Sequence, residues 1–116
     1  MMTEPKTISV LGTDISIVFR KEEEDPKLKS LVGYFDGSEH LIVVKELTPD
    51  AYSLGDLERY QKEILRHEIL HAFLYESGLD ACSNGTDNWA TNEEMVDWFA
   101  IQAPKIFKIY REQKLV

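Results

Sequence analysis

Two histidines and a glutamate stand together in His67-Glu68-Ile69-Leu70-His71. Side chains four apart on a helix lie one above the other, so a helix through this stretch lets both imidazoles offer a ring nitrogen to one metal ion. Glu68 follows His67 directly, which puts its carboxylate beside such an ion without making it a ligand. From there it can act as general base toward a water on the metal. If buried without a cation, two neutral imidazoles and a carboxylate would all need polar partners. The chemistry these residue types suit is metal-assisted hydrolysis.

A catalytic zinc in tetrahedral coordination takes three protein ligands and keeps one position for water. An elongated motif with a third histidine is absent, because Leu74 and Ser77 occupy the positions where its glycine and histidine would fall. The third ligand must come from further along, and Glu93 is the favoured candidate. Asp97 lies four residues beyond it, placed to accept a hydrogen bond from the outer nitrogen of a ligating histidine and so fix its tautomer. Glu94, Asp80 and Asp87 stay open as alternatives. Developing oxyanion charge usually needs a further donor, for which Tyr75, Tyr34 and His40 are candidates, and the sequence does not choose among them.

These side chains need two helices to present them. From Leu54 to Ser77, Leu57, Tyr60, Ile64, His67, His71, Leu74 and Tyr75 recur at helical intervals, with Gly78 as a stop signal. Both histidines are therefore expected on the apolar stripe. A second helix is expected from Glu93 to about Gln113, capped by Thr91 or Asn92, with a kink or break at Pro104. The segment from Asp80 to Thr91 reads as a polar loop, in which Trp89 is expected to pack onto the core. Upstream, residues 8–11 and 15–19 alternate as strands around Gly12-Thr13-Asp14, and residues 31–36 and 40–45 form a second pair across Gly37-Ser38. The expected architecture is α+β, with a small antiparallel sheet packed against the His67–His71 helix and a second, carboxylate-bearing helix.

The stretch His67-Glu-Ile-Leu-His71 followed by Asn92-Glu93-x-x-Val96-Asp97 resembles the gluzincin pattern of zinc metallopeptidases, with Val96 where a serine usually stands. It is closer still to the small ImmA/IrrE-type metallopeptidases of bacteria and their phages. Their second helix runs acidic, then small, then Phe-Ala, as Glu93 to Ala100 does here in ending Trp98-Phe99-Ala100. The resemblance spans roughly residues 30 to 110 and departs after Ala100, where Ile101-Gln102-Ala103-Pro104 replaces a Leu-Met-Pro ending. It implies a minimal zincin-like core, zinc, cleavage of a protein substrate, and frequently the release of a transcriptional repressor. It also implies that an edge strand beside the metal helix pairs with the extended substrate, a role the strand from His40 to Val44 is expected to fill.

Composition frames these expectations. A chain of 116 residues with 43% hydrophobic and 29% charged content fits one globular domain spanning residues 1–116. No apolar run approaches a membrane span, and residues 1–13 lack a signal-peptide plan. Cys82 is the sole cysteine, which excludes an internal disulfide and makes a cytoplasmic home the simplest expectation. A net charge of −8 argues against direct nucleic-acid binding. Lys105, Lys108, Arg111 and Lys114 read as a solvated face. The leading reading is a zinc endopeptidase acting on a protein or peptide. The alternative is a zinc-stabilised protein-binding module, which would need the ligands but not Glu68.

Overall fold

Ile15, Ile17 and Phe19 alternate with Asp14, Ser16 and Val18, and this two-residue period sends the first set to one face of a strand. All three are buried in the core. The structure is a computed structural model that describes residues 2–49, 55–82 and 89–116. Among these residues four strands form one sheet: β1 (Lys6–Val10), β2 (Thr13–Arg20), β3 (Gly33–Asp36) and β4 (Leu41–Lys45). β1 and β2 are joined by a two-residue turn in which both Leu11 and Gly12 have positive φ, 50° and 90°. That is the primed geometry that matches strand twist. The turn falls one residue earlier than the glycine alone suggests.

The sheet order is β1-β2-β4-β3, with β2 and β4 parallel. The expected all-antiparallel sheet is therefore a mixed one. Each hairpin forms as expected, but β4 inserts between β2 and β3 instead of sitting at an edge. Ile42, Val43 and Val44 are all fully buried, which is the behaviour of a strand covered on both faces. The crossover from β2 to β3 carries a 3-10 turn, Pro26–Lys29, capped by Asp25 and burying Leu28. As a result β3, not the His40–Val44 stretch, forms the edge on this side of the sheet, and β1 forms the other.

Three helices complete the α+β architecture: α1 (Leu57–Glu76), α2 (Leu79–Cys82) and α3 (Glu93–Glu112). Asp56 caps α1 by accepting from the Arg59 amide at 3.0 Å. Leu54, expected inside this helix, lies outside the described residues. α1 lays Ile64, Leu65 and Ala72 on Val10, Ile15, Ile17, Phe19, Ile42 and Val44, forming the main core. Gln61 is fully buried in the same face, where its side-chain amide donates to the Met2 carbonyl at 2.9 Å and accepts from the Met2 amide at 2.8 Å. α2 falls within the expected loop. Trp89, in a 3-10 turn at Trp89–Thr91, is exposed instead of packing on the core.

α3 starts at an Asn92 cap, whose side chain accepts from the Met95 amide at 2.8 Å. It packs on α1, and a second core of Leu74, Ala90 and Val96, with Leu70 and Met95, fixes its first turns there. The helix continues through Pro104 without the expected break. Pro104 supplies no N–H to the carbonyl of Ala100, four residues back. That carbonyl instead accepts from Nε of Arg66 on α1 at 2.6 Å.

Candidate metal centre

The three-residue and four-residue spacings of α1 place Gln61, Ile64, Leu65, Glu68 and Ala72 against the sheet. Glu68 is thus among the most buried polar groups, 7% exposed, while His67 and His71 sit half-buried on the shoulder facing α3. The histidines, expected on the apolar stripe, stand at its border. The stripe itself runs through the glutamate.

The second core holds the first turn of α3 against that shoulder, and Glu93 reaches both rings. Its Oε2 lies 3.1 Å from Nε2 of His67 and its Oε1 lies 3.0 Å from Nε2 of His71. The two Nε2 atoms are 3.1 Å apart. One turn along α3, Oδ1 of Asp97 lies 2.7 Å from Nδ1 of His67, within hydrogen-bonding distance. Four residues separate Glu93 from Asp97, so one helix face delivers both carboxylates to one imidazole.

A proton on Nδ1 directed at Asp97 would leave the Nε2 lone pair of His67 facing the Glu93 carboxylate. Two acceptors 3.1 Å apart repel unless a proton or cation lies between them. Tetrahedral zinc with bonds of about 2.0–2.2 Å separates its ligand atoms by about 3.3 Å; the two Nε2 atoms stand within a few tenths of an ångström of that, and each ring faces a different oxygen of Glu93 at a similar distance. The donor set of two imidazole nitrogens and a carboxylate is one that zinc accepts. His67, Glu68 and His71, and likewise His67, Glu93 and Asp97, each gather ligand atoms within 4.8 Å.

Electrostatics follow from burial. Loss of solvent pushes the Glu68 carboxyl up to about 7; His67 opposes the rise, and Glu93 and Asp97 add to it. Burial holds the His71 imidazole below its ordinary value, against the pull of Glu93 and with help from His67. A neutral imidazole is the form that binds metal.

The cluster opens into a cleft of about 520 Å³ whose walls include Gly33, Phe35, Gly37, Tyr75, Asp80 and Thr91. Gly33 allows the wall to come close: a Cβ there would lie 2.9 Å from Cγ2 of Ile64 and 3.6 Å from Cγ of Glu68. Tyr75 stands on the rim, its ring packed edge-on to Phe35 and over Gly37. Tyr34 lines the cleft with its ring, but its hydroxyl donates to Asp25, which makes it a poor oxyanion donor. His40 is exposed in the β3–β4 turn with φ 51° and lies outside the cleft lining. Glu94 is exposed and is not among the residues lining the cleft, Asp80 lies on the cleft wall, and Asp87 falls outside the described residues. Cys82 is exposed at the end of α2.

Sequence reasoning passed over Gly33 and Arg66. A glycine opening a strand is a signal for close approach, and a proline inside a helix marks a carbonyl needing another donor. No protein-family model, curated protein or solved structure matches the chain. No helix among the described residues is long and apolar enough to cross a membrane.

Proposed function

We propose that the chain is a zinc-dependent peptidase with a minimal zincin-type core, hydrolysing a peptide bond in a protein or peptide. The observation that carries this reading is the meeting of His67 Nε2, His71 Nε2 and the Glu93 carboxylate at 3.0–3.1 Å beside a buried Glu68. The pattern shared with ImmA/IrrE-type enzymes supports a protein substrate, with repressor release as the role to examine first.

His67, His71 and Glu93 would hold the ion. Zinc bound there would lower the pKa of a coordinated water to about 7 and polarise the scissile carbonyl. Glu68 takes the proton from the attacking water and passes it to the leaving amine. Burial raises this carboxyl in the metal-free site, and a cation held beside it would oppose that rise and favour the carboxylate needed to accept a proton. Asp97 keeps the His67 ring in the orientation that aims Nε2 at the cluster.

The substrate would lie along β3. The Lys45 amide donates to the Val32 carbonyl at 2.9 Å, which makes Val32 and Lys45 a hydrogen-bonded pair. By alternation Tyr34 and Asp36 also bond to β4, and the backbone groups of Gly33 and Phe35 face the open edge. An extended peptide can add there as a further strand, across the cleft from Glu68.

The test compares wild type, His71→Ala and Glu68→Gln for zinc content and for cleavage of a peptide library. One zinc per chain in wild type and Glu68→Gln, lost in His71→Ala, with cleavage in wild type alone, is expected. Absence of zinc from the wild type, or equal cleavage by Glu68→Gln, would overturn the reading.

A further inference from the structure

We propose that Arg66 is the positioning residue of the metal centre, clamping α3 to α1 through the backbone carbonyl that Pro104 leaves without a helical donor. The inference rests on the metal-binding reading above and adds to it a residue that touches none of the ligands.

α3 brings Glu93 and Asp97 to the histidines, yet it packs on α1 with no comparable support from the sheet. Its register against α1 therefore decides whether the carboxylates reach. The cores beneath its first turns are small: Ala90 and Val96 against Leu74. Beyond Asp97, Leu70, Phe73, Phe99 and Ala103 line an apolar cleft, with Phe73 and Phe99 left exposed, so this stretch does little to fix the register. Arg66 supplies a directional tie in this region. Its Nε–H donates to Ala100 O at 2.6 Å, and Ala100 is buried.

Two sequence relationships make this contact specific to the site. Arg66 immediately precedes His67, and Ala100 lies three residues beyond Asp97, so the clamp sits one helical turn from the His67–Asp97 hydrogen bond. Ala100 O is available because residue 104, its i+4 partner, is proline. Without Pro104 the carbonyl would be satisfied within α3 and Arg66 would have little to hold. A guanidinium, with its fixed planar donor, gives a better defined register than a flexible ammonium.

The dependence on Pro104 supplies the test. Zinc affinity is measured by competition with a chelator for wild type, Arg66→Met, Pro104→Ala and the double variant, and apo-protein melting temperatures serve as controls. Arg66→Met is expected to weaken zinc binding about tenfold, the low end of what partners of metal ligands contribute. Pro104→Ala, which gives Ala100 O a donor within α3, is expected to weaken zinc binding as well, by no more than Arg66→Met does. The double variant should bind no more weakly than Arg66→Met, because both changes remove the same tie. If Arg66→Met does not fold, Pro104→Ala decides alone: weaker zinc binding at an unchanged melting temperature supports the clamp, and wild-type affinity overturns it. Wild-type affinity in Arg66→Met, or losses that add in the double variant, also overturns it. A wild-type chain that binds no zinc removes the metal-binding reading itself, an outcome distinct from zinc binding that ignores Arg66.

Discussion

Nδ1 of His67 lies 2.7 Å from Oδ1 of Asp97, and this one contact decides which ring nitrogen faces the cluster. With the proton held on Nδ1, Nε2 is the lone-pair donor and points at Glu93 and His71. Removing the acceptor frees the ring to rotate and to change tautomer. Asp97→Ala is therefore expected to weaken zinc binding about 10- to 100-fold. Asp97→Asn, which keeps the shape and a carbonyl acceptor, should lose less. Chelator competition on the three proteins checks the order, and equal affinity in Asp97→Ala would show that His67 needs no such partner.

A second acid, Asp25, has a role in stability and none in the cluster. Its Oδ2 accepts from the Tyr34 hydroxyl and from Nη1 of Arg20 at 3.2 Å, and its Oδ1 from the Lys27 amide at 3.2 Å. The Tyr34 hydroxyl is the largest influence holding the Asp25 carboxyl below its ordinary value. Burial and the Asp25 charge push the Tyr34 phenol up to about 12. A lowered acid stabilises the fold above its unfolded pKa of about 3.9 and loses that contribution as pH falls through the folded value. A raised phenol stabilises below about 10 and loses its contribution as pH rises from there to about 12. Tyr34→Phe abolishes the second effect and shrinks the first. Its melting temperature should fall below wild type near pH 7, with the gap closing below pH about 4 and again above about 10. Parallel melting curves across both ranges would sink this account.

The two site helices were legible because their signals are local. The His67–His71 spacing, the Glu93–Asp97 spacing and the Asn92 cap each concern a single turn. The sheet was legible only as hairpins. Insertion of β4 beside β2 pairs Ser16 with Leu41 and Arg20 with Lys45, contacts that no local pattern encodes. A trace of it was present: Ile42-Val43-Val44 does not alternate, as expected of a strand covered on both faces and not of an edge. The buried face of α1 is also wider than local periodicity suggests. A stripe drawn through His67 and His71 ignores Gln61 and Glu68, polar residues that the fold nevertheless buries. Gln61 is tolerated because Met2 satisfies its amide across 59 residues of sequence, a partner that helical periodicity cannot reveal.

The corrected edge changes which backbone should recognise a substrate. Proline at Val43 would strike the central strand, where the residue pairs with Tyr34, and should unfold the sheet instead of reporting on peptide binding. Phe35 is the informative position, because its N–H faces away from β4. Phe35→Pro removes that donor and leaves the β3–β4 ladder in place, but it also removes the ring packed on Tyr75. Phe35→Ala loses the ring and keeps the donor, so the difference between the two isolates the backbone contact. A single hydrogen bond of about 0.5–1.5 kcal/mol corresponds to roughly three- to tenfold in affinity. A competing peptide should accordingly bind Phe35→Pro about three- to tenfold more weakly than Phe35→Ala, with zinc content the same in both. If the two variants bind it equally, the substrate does not run along β3, and the cleft wall at Tyr75 and Asp80 becomes the place to look.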